Sequence, residues 1–150
     1  MPTYLDEFAV GQTARFGAYE VTREEVLRFA SAYDPQPFHL DDEAAAANPI
    51  FGRISASGWH TAAMAMRMLV DHDKASGGTS MGSPGVDELR WLRPVYPGDI
   101  LRVETEVLEV RPSRSRADLG SVKVMLSVFN QHDDKVMTQI AINLVKRRDT

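Results

Sequence analysis

Residues 58–71 of this 150-residue chain constrain its fold more than any other stretch. Trp59, Ala62, Ala63, Met66, Leu69 and Val70 recur at the i, i+3, i+4, i+7 spacing of one helical face. Met64, Ala65 and Met68 then fill most of the opposite side, and a helix apolar nearly all round is a buried one. At 1.5 Å per residue the segment spans about 21 Å, enough to lie across a curved sheet. Arg67 interrupts it, and it is too short for a membrane span of ~20 apolar residues.

The C-terminal half supplies that sheet. Residues 86–92 read as a first strand, followed by the turn Arg93-Pro-Val-Tyr-Pro-Gly-Asp99. Three long alternating strands come next, over 100–111, 119–131 and 136–147. The first places Leu101, Val103, Thr105 and Val107 on one face, and the last places Val136, Thr138, Ile140, Ile142 and Leu144 together. Joined by short turns, they form an antiparallel meander with one buried face. Residues 74–85, rich in Gly and Ser, read as one long flexible loop.

The N-terminal third prepares the approach to the helix. An irregular lead-in over 1–11 gives way to a strand over 13–21. Thr22-Arg-Glu-Glu25 matches a capping box, and Val26, Phe29, Ala30 and Tyr33 follow at helical spacing. Pro35 stops that helix at Asp34, because the residue before proline avoids helical geometry. A carboxylate at a helix exit gains nothing from the helix dipole, so an unpaired Asp34 there needs another reason to exist. Asp41 caps a short helix over 42–47 that Asn48-Pro49 ends, and a connector over 50–56 leads to Ser57-Gly58. The order of strand, helices, then four strands makes a single α+β domain with the central helix on the concave face of a bent antiparallel sheet.

Composition narrows the function classes. The formal charge of −4 disfavours nucleic-acid binding, which depends on a surplus of Lys and Arg against phosphate. The chain has no cysteine, which excludes disulfides, thiol catalysis and Cys-based zinc sites. No His-x-x-x-His spacing points to a metal. With no basic-then-apolar leader, the expectation is a cytoplasmic protein without membrane association.

Chemistry concentrates in Asp34-Pro-Gln-Pro-Phe-His39 and in Ser57-Gly58. An acid, an imidazole and an unencumbered helix N-terminus within about 25 residues are the components of an acid–base site. Each component also has a plainer reading. Asp34 suits an Asx-turn before Pro35, His39 a hydrogen-bonded interior position, and Gly58 close helix packing. His60 reads as structural, and His72 and His132 as solvated.

These motifs, with Arg93-Pro-Val-Tyr-Pro-Gly-Asp99 before a strand, resemble the MaoC-like dehydratases, which include the (R)-specific enoyl-CoA hydratases. The resemblance covers roughly residues 8–146. The usual spelling is Asp-x-Asn-Pro-x-His, and this chain has Gln36 in place of Asn. It also has Ser57-Gly58 where His-Gly is common, and Tyr33 where Gly precedes the Asp. The resemblance implies a hot-dog fold, a long helix wrapped by an antiparallel sheet. It implies homodimers or higher assemblies of dimers with sites along the subunit interface.

It further implies reversible addition of water to a trans-2-enoyl thioester of coenzyme A or of an acyl carrier protein. No cofactor is needed beyond the coenzyme A of the substrate. Asp34 and His39 would share the water, the Gly58 amide would hold the thioester carbonyl, and Gln36, Ser57 and Trp59 would contact substrate. The basic clusters 111–116 and 146–148 could meet phosphate, but such clusters are more often solvated turns and tails. Two other readings of the fold are a thioesterase and a catalytically silent acyl-CoA-binding module. Thioesterases of this fold usually carry their acid on the central helix, where 58–71 has none before Asp71.

Overall fold

A computed structural model describes residues 2–75 and 77–148. A 3-10 turn at Leu5–Glu7 leads into β1 (Thr13–Glu20), α1 (Arg23–Tyr33), α2 (Pro37–Leu40), α3 (Asp42–Ala47) and α4 (Gly58–Ala75). Four strands follow: β2 (Ser80–Trp91), β3 (Ile100–Pro112), β4 (Leu119–Phe129) and β5 (Lys135–Lys146). They join one antiparallel sheet in the order β1-β3-β4-β5-β2, so the strands first and second in sequence form its two edges. The sheet curves around α4, giving the α+β hot-dog architecture.

Local chemistry explains the element ends. The Thr22 hydroxyl accepts the Glu25 amide at 3.2 Å, and the Asp41 carboxylate accepts the Ala44 amide at 2.9 Å. The expected capping box is only half made, because the Glu25 carboxylate turns inward to Tyr19 and His60 instead. Pro37 starts α2, a single turn that carries His39, as suits a residue with no amide hydrogen to leave unpaired.

The core lies between α4 and the concave sheet face. Met64, Ala65 and Met68 pack against Leu101, Val103, Leu126, Val128, Val136 and Met137, all buried. A tight contact seats the helix. β1 bulges between Phe16 and Tyr19, and at Gly17 (φ +91°) a Cβ would fall 2.3 Å from the Met68 sulfur. Only glycine relieves both the positive φ and that overlap.

Three expectations are corrected. The segment 74–85 is not one loop: α4 continues to Ala75 and β2 begins at Ser80, pairing with β5 through irregular steps at Gly82 and Gly85. Ser76 lies outside the described residues. Nor is α4 buried nearly all round, although Ala62 and Leu69 of the regularly spaced stripe do pack against the core. Trp59 (60% exposed), Met66 (49%) and Val70 lie open in the single chain, while the side carrying His60, Thr61, Met64, Ala65 and Met68 is buried. Finally, β5 faces the other way. Met137, Gln139 and Ala141 pair with Val128, Leu126 and Val124 of β4 and share their inward side, which turns Ile140, Ile142 and Leu144 outward. Among the described residues no helix is long and apolar enough to cross a membrane.

Candidate active site

The chain reversal between α1 and α2 brings Asp34 and His39 together. Asp34 ends α1, its amide donating to the Ala30 carbonyl at 2.9 Å, and leaves the helical region with φ −149° and ψ 67°. Its carbonyl accepts the Gln36 amide at 2.8 Å, and the Gln36 carbonyl accepts the His39 amide at 2.9 Å. This tight backbone path sets Asp34 Oδ2 3.4 Å from His39 Nε2. The imidazole is 6% exposed and the carboxylate 20%, so water reaches the pair from one side.

The second imidazole nitrogen fixes the tautomer. His39 Nδ1 lies 2.7 Å from the Ser55 carbonyl, which can only accept, so Nδ1 carries the hydrogen. Nε2 is then the nitrogen that faces the Asp34 carboxylate. A proton on Nε2, or a water molecule hydrogen-bonded to both atoms, would bridge them.

Beside this pair a cleft of about 250 Å³ is lined by His39, Phe51, Gly58, Thr61, Trp91 and Arg93. Gly58 begins α4, where the first amides lack intrahelical acceptors and the helix dipole is positive. Ser57 is buried, and its hydroxyl, like that of Ser55, has no hydrogen-bond partner among the described residues. Two orphaned buried hydroxyls beside a helix N-terminus form a polar floor that a water or a carbonyl would satisfy. Gln36 is exposed, and Trp59 meets Trp91 edge-on with ring centroids 5.0 Å apart outside the cleft lining. The structure thus brings His39 and Gly58 to one cleft, with Asp34 3.4 Å from the imidazole and Ser57 next to Gly58 in the chain; Asp34, Gln36, Ser57 and Trp59 are not among its lining residues.

Sequence reasoning did not single out Ser55, Trp91 or Tyr96. Ser55 acts through its carbonyl, which has no side-chain signature. Tyr96 donates its hydroxyl to the Phe51 carbonyl at 2.6 Å and so ties the turn before β3 to the cleft wall. The basic clusters are largely occupied: Arg111 pairs with Glu109, Arg116 with Asp118, Arg147 with Asp6 and Arg148 with Glu7.

A second acid–imidazole pair lies on the α1 side of α4. His60 Nε2 is 3.3 Å from Glu25 Oε1, which also accepts the Tyr19 hydroxyl, and the ring stacks on Phe29 at 4.7 Å. Burial holds the His60 pKa below its ordinary value, outweighing the Glu25 carboxylate that favours the cation. Glu25 is desolvated, yet its bonds from Tyr19 and His60 bring its pKa below normal. The Tyr19 hydroxyl is pushed up to about 12 by burial and by donation to Glu25. His60 Nδ1 is buried without a hydrogen-bond partner among the described residues. This cluster joins β1, α1 and α4, in keeping with the structural role expected of His60; His72, expected to be solvated on a loop, instead lies within α4 with its ring stacked on Phe16 at 3.9 Å. Among the described residues no group of three or more His, Cys, Asp or Glu is arranged to hold a metal ion.

A long helix wrapped by one curved antiparallel sheet defines the class of hot-dog proteins. Within it, this chain belongs to the MaoC-like domain family, whose model matches residues 7–128. It is 35% identical to the uncharacterised protein YdeM of Bacillus subtilis, over 95% of this chain and 99% of that protein. It is 34% identical to a 3-hydroxybutyryl-CoA dehydratase of Methylorubrum extorquens, over 78% and 71%. The crystal structure of a MaoC-like dehydratase from Rhodospirillum rubrum superposes with a TM-score of 0.89 at 39% identity, covering 99% of this chain and all of that one.

Proposed function

We propose that the protein is a hydratase/dehydratase of acyl thioesters, adding water reversibly to a trans-2-enoyl-CoA to give a 3-hydroxyacyl-CoA. The observation that carries this reading is the acid–imidazole pair, Asp34 Oδ2 and His39 Nε2, 3.4 Å apart, with His39 lining the same cleft as Gly58. Membership of a family containing a 3-hydroxybutyryl-CoA dehydratase supports it.

In the forward direction the shared water attacks C3 of the enoyl group. Its oxygen forms the new C–O bond, one of its protons passes to the Asp34–His39 pair, and the π electrons move to the thioester oxygen. The Gly58 amide, at the positive end of the helix dipole, donates to that oxygen as it becomes anionic. Collapse of the enolate takes a proton from the pair onto C2, which restores the starting protonation state. The shared hydroxyl–proton balance needs neither a metal nor a redox cofactor.

The reading carries with it a homodimer and a cytoplasmic setting. Trp59, Met66 and Val70 on α4 and Met81, Val86 and Leu92 on or beside the edge strand β2 are exposed apolar groups. An unpaired edge beside an apolar stripe suits pairing with a second copy. A thioesterase is less well served, since Asp71 and Asp73 of α4 lie at least 13 residues, about 20 Å, from Gly58.

Incubation with crotonyl-CoA, following double-bond loss and free thiol release together, tests the proposal. Double-bond loss without thiol release is expected. Thiol release would make the protein a thioesterase. Binding without either change would make it a silent module.

A further inference from the structure

We infer that Arg53 and Arg93 form an anion handle at the mouth of the cleft and bind the phosphate at the end of a pantetheine arm. This rests on the thioester reading above and adds the residues that would grip the non-reacting end of the substrate. The guanidinium of Arg53 lies 3.9 Å over the centroid of the Tyr96 ring. Tyr96 is itself held by its hydroxyl on the Phe51 carbonyl at 2.6 Å, and Phe51 lines the cleft. Arg53 is therefore an exposed cation fixed in position by a clamped aromatic face, not a free surface side chain.

No carboxylate lies within ion-pair distance of Arg53 among the described residues. By contrast, the clusters around 111–116 and 147–148 spend charge on Glu109, Asp118, Asp6 and Glu7. Arg93 lines the cleft and sits in the same turn as Tyr96. Its contact with Asp134, at 3.8 Å and largely exposed, is weak enough to give up. Arg93 thus lines the cleft, and Arg53 stands on the Tyr96 ring, whose hydroxyl is tied to the cleft residue Phe51.

The reach is suitable. Ser55, whose carbonyl holds His39, is two residues from Arg53, an offset of at most ~7 Å along the backbone. A pantetheine arm has about the bond count of four extended residues, roughly 15 Å, so its phosphate can reach the rim while its thioester lies at His39. A planar guanidinium fork suits a phosphate oxygen pair.

Three crotonyl thioesters separate the possibilities: those of coenzyme A, of 4′-phosphopantetheine and of pantetheine without phosphate. Arg53→Met keeps an apolar stem against Tyr96 while removing the charge. It should raise KM for both phosphorylated esters about tenfold, leave kcat unchanged, and leave the pantetheine ester unaffected. Arg93→Met should act in the same sense, and Arg53→Lys should recover part of the loss. An equal effect on all three esters would make Arg53 a loop clasp and overturn the assignment. An effect on the coenzyme A ester alone would overturn it in favour of the nucleotide phosphates. Calorimetric titration with coenzyme A itself separates this inference from the reaction. Arg53-dependent binding by a protein that hydrates nothing would uphold the handle and sink the hydratase reading, whereas no measurable binding to the parent protein would sink the handle.

Discussion

Trp91 lies directly against the Cα of Gly58: a Cβ built there would stand 2.5 Å from indole atoms Cδ2 and Cε2. The amide proposed to hold the thioester oxygen is therefore also the point where the edge strand closes on the helix. The two readings of Gly58, packing and oxyanion binding, are compatible in one residue.

Gly58→Ala keeps the amide but forces Trp91 aside. We expect kcat/KM for crotonyl-CoA to fall at least tenfold, a modest displacement effect beside the ~10²–10³ typical of losing an oxyanion donor outright. The double variant Gly58→Ala/Trp91→Val should regain much of the lost rate. Steady-state kinetics on the two variants checks this, and a double variant no better than the single one would show that the glycine matters for another reason.

Asp34→Asn and His39→Gln each remove one group able to take up and return a proton. Hydration should fall by about 10²–10⁴ in each, the usual range for lost acid–base catalysis. The double variant should cost little more than the worse single variant, because both act on one water molecule. Circular dichroism is expected to match the parent. Activity within a few fold of the parent in either single variant would remove the mechanism.

The Glu25–His60 contact predicts acid sensitivity of the fold. The His60 pKa is lowered in the folded state from its ordinary 6.5, so below that value the unfolded chain takes up a proton that the folded one resists. Glu25, also lowered, loses its stabilising ionised form as pH falls below its ordinary 4.5. Both shifts act in one direction: stability present above about 6.5 declines progressively on acidification, first through His60 and then through Glu25. Thermal melts from pH 8 to 4 should show this decline, reduced in His60→Gln. At pH 7 that substitution should cost about 2 kcal/mol for its lost bond to an ionised partner.

Charge placed on the open stripe of α4 should break the proposed dimer. Met66→Glu or Val70→Asp leaves the core untouched, since both side chains are exposed in the single chain. Light scattering should show monomers, with crotonyl-CoA hydration reduced in parallel. A parent protein that is already monomeric and active would end the dimer reading.

Much of the site was legible in the sequence because it is local. Pro35 and Pro37 bracket the turn that joins Asp34 to His39, and five residues suffice to bring the acid to 3.4 Å from the base. The half-made capping box shows the limit of local reading. Thr22 takes up its capping bond, but Glu25 finds Tyr19 and the distant His60, partners that no spacing rule could name.

The sequence by itself determined most of the elements, their order and the bent-sheet architecture, because propensity, capping and proline act within a few residues; the helical turn at Pro37–Leu40 and the start of β2 at Ser80 were not legible in it. Only the tertiary structure decided which faces turn inward. Both sides of α4 are apolar, so its orientation came from packing Met64 and Met68 against the sheet, with Gly17 making room for Met68. In β5, pairing with β4 overrode the more hydrophobic alternation, because register against Val124, Leu126 and Val128 dictates which residues share their side. Periodicity shows that an element has two sides; which one is buried is a property of the neighbours that the fold brings to it.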